Sequence, residues 1–317
     1  MRPQYVGDPT RDLIGYGRDA PRVRWPEQAR VAVVLAVNYE SGSEQSYFAG
    51  DGRNEPPQEF AYSQPAFRDL GNESIFDYGS RAGIWRLQRI FDDYRLPVTF
   101  HGCAQAFEAN PDVGAYVREA GHDVCAHGWR WEMVSQLSPE VEREHIQWAV
   151  ESITETCGAR PTGWYSKCPP SLSTRELLVE EGGFLYDSDS FADDLPYFVQ
   201  VKGRRHLIIP YSFTTNDSKF HPGGGFSAPS SFGEYCIRAF DELWREGATR
   251  PKMMTVGIHP RLIGQPSRAS ALREFIEHCL AKGGVWFARK TDVAHWWTEH
   301  HQEFGIASAA PSPAAAV

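Results

Sequence analysis

The sequence lacks the features that would place it in several large classes of protein. Its 317 residues contain no apolar run approaching the 18 or so residues of a membrane span, and the start MRPQYVGDPTRD has no apolar secretory segment. The 32 Lys and Arg are outnumbered by 41 Asp and Glu, for a formal charge of -9, which argues against binding along a nucleic-acid backbone. We therefore expect a soluble cytoplasmic protein with a small-molecule ligand and no nucleic-acid or membrane partner.

Cysteine is sparse, and no two cysteines are spaced as a CxxC motif. Six cysteines occur without any CxxC pair, at Cys103, Cys125, Cys157, Cys168, Cys236 and Cys279. In a chain this long, that scatter is typical of reduced, buried thiols rather than of a disulfide framework or a zinc knuckle. With 41% hydrophobic and 13% aromatic residues, the chain has enough apolar side chains for a large core.

Apolar runs and amphipathic segments alternate along the chain. The runs predict strands at 30–37, 98–101, 123–126, 185–186, 207–209, 253–258 and 285–288, with a further short strand before residue 164. The amphipathic segments predict helices at 80–94, 111–119, 139–157, 174–181, 231–246 and 269–282. This alternation is typical of an α/β fold, and here it predicts a distorted (β/α) barrel of seven or eight parallel strands.

The pattern favours one domain. We expect residues 1–305 to form a single barrel domain and the Ala- and Pro-rich residues 306–317 to be a disordered tail. Two long segments, 41–74 and 216–230, have little periodicity and follow strands. Long loops in a compact domain are usually functional, so we expect both to wall the site.

Polar residues follow the predicted strands at the end where barrel enzymes carry their chemistry. They are Asn38, Glu40, His101, His127, the segment 164–167, Asp187, Asp189 and His259. A single histidine in such a place often caps a strand and does no chemistry. Their convergence at one barrel mouth predicts a hydrolytic site.

Several motifs resemble one family. They are VNYESG at 37–42, YGSRAGIWR at 78–86, GHDVCAHGWRW at 121–131, GARPTGWYS at 158–166, EEGGFLYDSDSFADDLPY at 180–197 and GIHPRLIGQPSRASALREFI at 257–276. In this order they resemble the polysaccharide-deacetylase (NodB-homology) superfamily, and within it the metal-independent allantoinases and cyclic-imide hydrolases. The resemblance implies a NodB-type barrel, hydrolysis of a C–N bond and a homo-oligomer.

The resemblance also implies where a metal would bind. Deacetylases of the superfamily hold a divalent metal with an acid from the first strand and two histidines spaced HxxxH. The matching residues here are Glu40, His127 and Trp131, and tryptophan has no lone pair for a metal. The catalytic-base Asp of the deacetylases falls on Asn38. We therefore expect no required cofactor; if a divalent metal such as zinc is present, Glu40 and His127 are its ligands, with Glu132 as a substitute for the third.

Ring opening of a cyclic amide needs an activated water, a place for the developing oxyanion and a proton for the leaving nitrogen. We expect Glu40 to be the general base, its pKa raised by neighbouring aromatic side chains, with a salt bridge to Arg130 as the structural alternative. His127 is expected to orient the water or polarise the carbonyl, and His259 to donate the proton.

The expected substrate contacts come from the same strand ends. They are Asn38, Trp131, Trp164, Tyr165, Lys167 and Asp187. Lys167 is expected to bind the oxyanion and Asp187 to orient a catalytic histidine. Two alternative functions remain open from the sequence: a metal-dependent polysaccharide or peptidoglycan N-deacetylase, and an inactive barrel that binds a carbohydrate or ureide.

Overall fold

The computed structural model describes residues 11–18, 20–57 and 65–306, and a curled sheet flanked by helices organises them. In these ranges the sheet has nine strands: β1 (Val31–Tyr39), β2 (Thr99–Gly102), β3 (Asp123–Ala126), β4 (Gly163–Trp164), β5 (Tyr186–Asp187), β6 (Tyr197–Val201), β7 (Arg204–Ile208), β8 (Lys252–Ile258) and β9 (Val285–Phe287). Their order is β6-β7-β5-β4-β3-β2-β1-β8, and β9 also pairs with β1. The α/β architecture expected from the alternating pattern is confirmed.

Strand β1 pairs with three other strands of this sheet. It pairs in parallel with β8 over residues 31–37, with β2 over 36–39 and with β9 over 31–33, so β2 and β9 share one of its edges. All nine residues of β1 are buried. The odd-numbered residues pack under the outer helices and the even-numbered ones face the sheet's concave interior, which explains why the run is apolar on both faces.

The expectation that every strand is parallel is wrong for β6. Strand β6 pairs antiparallel with β7, from Tyr197 opposite Ile208 to Val201 opposite Arg204. Only Lys202 and Gly203 connect the two strands, and their φ angles are 48° and 75°. A two-residue turn with positive φ at both positions favours a tight hairpin, so the chain reverses here without a crossover helix.

Nine α-helices pack outside the sheet in the described part of the chain: α1 (Leu70–Tyr78), α2 (Ile84–Tyr94), α3 (Ala104–Ala109), α4 (Pro111–Glu119), α5 (Pro139–Cys157), α6 (Thr174–Glu181), α7 (Pro229–Glu246), α8 (Pro266–Lys282) and α9 (Lys290–His300). The predicted helices at 111–119, 139–157 and 174–181 are confirmed. Helix α5 begins where Ser138 accepts a hydrogen bond from the backbone of Val141 and ends at Gly158 in the left-handed conformation. No helix in the described ranges combines the length and hydropathy needed to cross a membrane.

The predicted helix 80–94 is part of a longer helical segment. Helices α1 and α2 are joined by a single π-helical stretch, Gly79–Gly83. A Cβ atom on Gly83 would lie 2.0 Å from the carbonyl oxygen of Pro260, so only glycine allows this approach. Because Pro260 directly follows His259, the close packing fixes the loop after β8 against this segment.

The two long segments lie at the carboxyl end of the sheet. Between β1 and α1 the described residues, 40–57 and 65–69, form no helix or strand, as expected, and residues 58–64 lie outside the described ranges. The segment after β7 contains a single turn of 3-10 helix, Asp217–Phe220, before α7. The predicted tail is also outside the described residues, except for Ile306.

Candidate active site

Three side chains from three strand ends meet at the carboxyl edge of the sheet. Glu40 follows β1, His127 follows β3 and His259 follows β8. Oε1 of Glu40 lies 3.4 Å from Nε2 of His127 and 3.6 Å from Nε2 of His259. All three side chains are buried. We call them the Glu40 cluster; the structure brings together the three residues that the sequence predicts to be catalytic.

His127 is held in one orientation by Tyr165. Its Nδ1 lies 2.6 Å from the carbonyl oxygen of Tyr165, and the two rings stack with centroids 4.9 Å apart and an interplanar angle of 11°. A carbonyl oxygen only accepts, so Nδ1 carries the proton. Nε2 is therefore the nitrogen that faces Glu40.

His259 is held by Asp217, a residue that the sequence analysis did not select. Oδ1 of Asp217 accepts the ring Nδ1–H at 2.6 Å, while Oδ2 accepts the backbone N–H groups of His259 at 2.7 Å and of Ile263 at 3.0 Å. Burial alone would lower the pKa of His259, but the carboxylates of Asp217 and Glu40 outweigh it and raise the pKa to about 9. His259 is thus a cation at neutral pH.

The pKa of Glu40 is shifted in the direction opposite to the expected one, so the carboxylate is fully ionised. Burial would raise the pKa of its carboxyl group, but the charge of His259 and the close contacts of both imidazole rings with the carboxylate hold this pKa well below its usual range. The expectation of a raised pKa is therefore wrong, because the neighbouring charges outweigh the desolvation. The alternative salt bridge is also wrong: Arg130 binds Asp51, with 2.7 Å between its Nη2 and Oδ2.

Two tyrosines, Tyr165 and Tyr211, lie next to the Glu40 cluster on the inner side of the sheet. Asn38 and Asn216 donate their side-chain N–H groups to the hydroxyl oxygen of Tyr211, at 2.8 and 3.0 Å. The Tyr211 ring packs against Tyr165, with centroids 4.5 Å apart. Since both lone pairs of the hydroxyl oxygen are used, its proton is free to be donated to another group.

His101 lies beside this pair, and its imidazole ring makes no hydrogen bond within the described ranges. Its ring centroid is 4.9 Å from that of Tyr165, 5.2 Å from that of Tyr211 and 6.3 Å from that of His127. Both ring nitrogens are buried without a partner. Burial and the nearby Lys290 hold the pKa of His101 well below its usual range, so the ring is neutral.

Two of the predicted substrate contacts lie elsewhere. Trp164 is packed against Phe184 on the helix side of the sheet, because Tyr165 is the residue of this segment that faces inward. Asp187 binds Nε of Arg175 at 2.7 Å and Nε2 of His206 at 3.0 Å. It therefore orients neither histidine of the Glu40 cluster, and Asp217 orients His259 instead.

Lys167 is already paired at the edge of the site. Its Nζ lies 2.7 Å from Oε2 of Glu55 and 3.9 Å from the centroid of the Trp131 ring. Trp131 is buried and its ring packs against Phe76. This arrangement ties the segment after β1 to the segments that follow β3 and β4, and it pairs the ammonium group that the sequence predicts to bind the oxyanion with a carboxylate.

The residues present do not supply the three-ligand metal site of the deacetylases. Trp131 stands at the third position, and its buried indole has only an N–H donor. Glu132, the substitute considered from the sequence, binds Nδ1 of His145 at 2.5 Å and is taken up there. Across the described ranges no group of three His, Cys, Asp or Glu side chains has the spacing to hold a metal ion.

Sequence reasoning missed Asp217 and Tyr211 for the same reason. Both lie in the irregular segment between β7 and α7 and not directly after an apolar run. Asp217 falls in the segment 216–230, which the sequence predicts to wall the site, but no local pattern distinguishes it from the other polar residues of that segment. Their partners, His259 and Asn38, lie 42 and 173 positions away along the chain.

Comparison with known proteins gives consistent matches. The family model described as polysaccharide deacetylase matches residues 73–181. A Schizosaccharomyces pombe protein named as a polysaccharide deacetylase is 36% identical over 314 residues, which is 92% of this chain and 98% of the relative. The crystal structure of PuuE allantoinase has a TM-score of 0.89 and 42% identity, covering 93% of this chain and 99% of that one. A Pseudomonas aeruginosa PAO1 structure titled as a polysaccharide deacetylase has a TM-score of 0.88 and 42% identity, covering 92% and 99%.

Proposed function

Because the chain belongs to the polysaccharide-deacetylase (NodB-homology) family, we propose that it is a hydrolase that opens the C–N bond of a cyclic amide, such as allantoin, a cyclic imide or a hydantoin-like ring. The observation that carries this proposal is the Glu40 cluster, in which an ionised carboxylate faces a protonated imidazole. Similarity to PuuE allantoinase supports the same reaction class.

The charge states suit the two proton transfers of ring opening. In the proposed mechanism, Glu40 takes a proton from a water molecule as its oxygen forms a bond to the ring carbonyl carbon. His259 gives its Nε2 proton to the ring nitrogen as the C–N bond breaks. The product is an open chain with a new carboxylic acid and a new N–H group.

The same contact restores the free enzyme. After ring opening Glu40 is protonated and His259 is neutral, and their Oε1 and Nε2 atoms are 3.6 Å apart in the structure. The carboxyl proton returns to His259 because the imidazole, held against Asp217, is the stronger base. No additional proton carrier is needed.

The side chains of His127, Tyr211 and Asn38 are proposed to bind the water and the substrate. Nε2 of His127 faces Glu40 and is suited to orient the attacking water. The free hydroxyl proton of Tyr211 and the side chain of Asn38 match the carbonyl and N–H edges of a small ring. We propose that the reaction needs no metal, since Trp131 occupies the position of the third ligand.

The test is ring opening by protein treated with a strong chelator and assayed without added metal. The panel is allantoin, succinimide, hydantoin, dihydrouracil and an N-acetylglucosamine oligomer. We expect turnover of at least one cyclic amide. Deacetylation of the oligomer that appears only after zinc or cobalt is restored would contradict the proposal and favour the metal-dependent deacetylase.

A variant pair shows whether Glu40 is the base. We expect Glu40→Gln to reduce kcat by about 10²- to 10⁴-fold, the usual contribution of a general base. Glu132→Gln is the matched control, because Glu132 also contacts a histidine, His145, but outside the cluster. A Glu40→Gln protein that retains full turnover would refute the assignment.

A further inference from the structure

Two phenylalanine rings lie exposed beside the proposed active site. Phe191 and Phe213 are 45% and 46% exposed, although phenylalanine is normally buried. Their rings stack, with centroids 4.4 Å apart and an interplanar angle of 29°. We call these two residues the phenylalanine pair. A stacked pair is a small continuous apolar surface, which differs from the scattered apolar residues of ordinary surfaces.

The pair is continuous with the site. Both rings contact Tyr211 edge-on, with centroid distances of 6.4 Å from Phe191 and 6.2 Å from Phe213. Tyr211 packs on Tyr165, which stacks on His127. An unbroken series of aromatic rings therefore leads from solvent to the Glu40 cluster.

The backbone holds the pair at the mouth. Phe191 lies in the segment after β5 and Phe213 in the segment after β7, at the same carboxyl edge as Glu40. The two segments are joined by a hydrogen bond from the backbone N–H of Tyr211 to the carbonyl oxygen of Ser190, at 2.8 Å. Ser212 further fixes its segment, because its Oγ accepts the backbone N–H of Thr214 at 3.1 Å.

We propose that the phenylalanine pair binds an apolar substituent of the substrate, so that the preferred substrates are cyclic amides carrying an aryl or alkyl group. This inference rests on the proposed function and narrows its substrate class. The ring amide would occupy the Glu40 cluster while the substituent extends along Tyr211 onto the pair. Rings with a polar substituent would leave the two phenyl faces without a matching contact.

The test compares three molecules with one common ring: hydantoin, 5-benzylhydantoin and allantoin, which carries a polar ureido group. We expect the wild-type protein to have a kcat/KM for 5-benzylhydantoin at least about 10-fold above that for the other two. In the Phe191→Ala/Phe213→Ala protein, the ratio of 5-benzylhydantoin to hydantoin should fall by about 10-fold. Leu280→Ala is the control, since Leu280 is 44% exposed but lies on α8, and it should leave the ratio unchanged.

A binding experiment separates this inference from the proposed function. Calorimetric titration of 5-benzylhydantoin is done with Glu40→Gln protein, with and without the two phenylalanine substitutions. If the substitutions weaken binding about 10-fold, the result supports the role of the phenylalanine pair, whether or not any ring is turned over. An absence of turnover refutes only the proposed function. Equal binding in both proteins, or no binding in either, overturns the inference. An unchanged selectivity ratio with a changed oligomeric mass in size-exclusion chromatography also overturns it, because the pair would then be an interface between copies of the chain.

Discussion

Asp217 binds His259 through both of its carboxylate oxygens, one on the imidazole ring and one on the backbone N–H. The contact with the backbone N–H fixes the backbone of His259, and the contact with Nδ1 fixes the orientation of its ring. As a result Nε2 is directed at Glu40. The negative charge also favours the imidazolium form that the proposed reaction needs. Asp217 is thus a positioning residue, since its contacts in the site are with His259 and Ile263.

Replacing Asp217 should change the pH dependence of activity. A protonated His259 is the proposed proton donor, so kcat/KM should fall as pH rises through its pKa of about 9. In Asp217→Asn the charge is lost, and we expect this high-pH limb to move down by about one unit or more. The measurement is a pH profile of ring opening.

A second aspartate provides the control for this experiment. Asp241 also binds a histidine, with 2.8 Å between its Oδ1 and Nε2 of His278, but on the outer helices. Asp241→Asn should leave the high-pH limb in place. A limb that stays in place in Asp217→Asn as well would show that Asp217 does not set the protonation of His259.

His259 should also make stability depend on pH. Its pKa is raised from 6.5 to about 9 on folding, so its contribution to stability is complete below pH 6.5 and is lost as pH rises towards 9. Between pH 7 and 8 this loss amounts to about 1 kcal/mol in the free energy of unfolding. Urea unfolding at the two pH values, in wild type and His259→Gln, gives the difference. Equal pH dependence in both proteins would contradict the raised pKa.

Several parts of this site could be predicted from the sequence, and others depend on contacts that no local pattern records. The apolar run of β1 and the polar residues after it are enough to predict Glu40, because parallel strands place their carboxyl ends at one edge. Trp164 is predicted from the sequence to contact the substrate but faces the helices, and the sequence does not indicate this because β4 has only two residues and gives no alternation to count. The pKa of Glu40 depends on two histidines from distant strands, so its direction requires their positions.

Lys167 offers a direct contrast between a catalytic and a structural role. Removing an oxyanion donor usually reduces kcat by about 10²- to 10³-fold. Because Lys167 is paired with Glu55, we expect Lys167→Met to reduce kcat by less than about 10-fold. The Lys167→Met/Glu55→Gln protein should be no less active than the single variant, since the two side chains act as one pair. A 100-fold loss of kcat in Lys167→Met, with unchanged urea stability, would restore the oxyanion role.

His101 is a buried histidine whose imidazole ring is expected to lower the free energy of unfolding. Its two ring nitrogens are buried without a hydrogen-bond partner among the described residues, and each such group costs about 1–3 kcal/mol. Phenylalanine has a similar shape and no polar atom. We therefore expect His101→Phe to raise the free energy of unfolding by about 1–3 kcal/mol, measured by urea denaturation.

His206 is the matched control for His101. It is also a buried histidine, but its Nε2 lies 3.0 Å from Oδ2 of Asp187, so replacing it leaves that carboxylate with one partner fewer. His206→Phe should therefore lower the free energy of unfolding. If His101→Phe also lowers the free energy of unfolding, the imidazole nitrogens of His101 must form hydrogen bonds in solution with a bound molecule next to Tyr211 and Tyr165. If His101→Phe is more stable but less active, the free imidazole is retained for function at the expense of the fold.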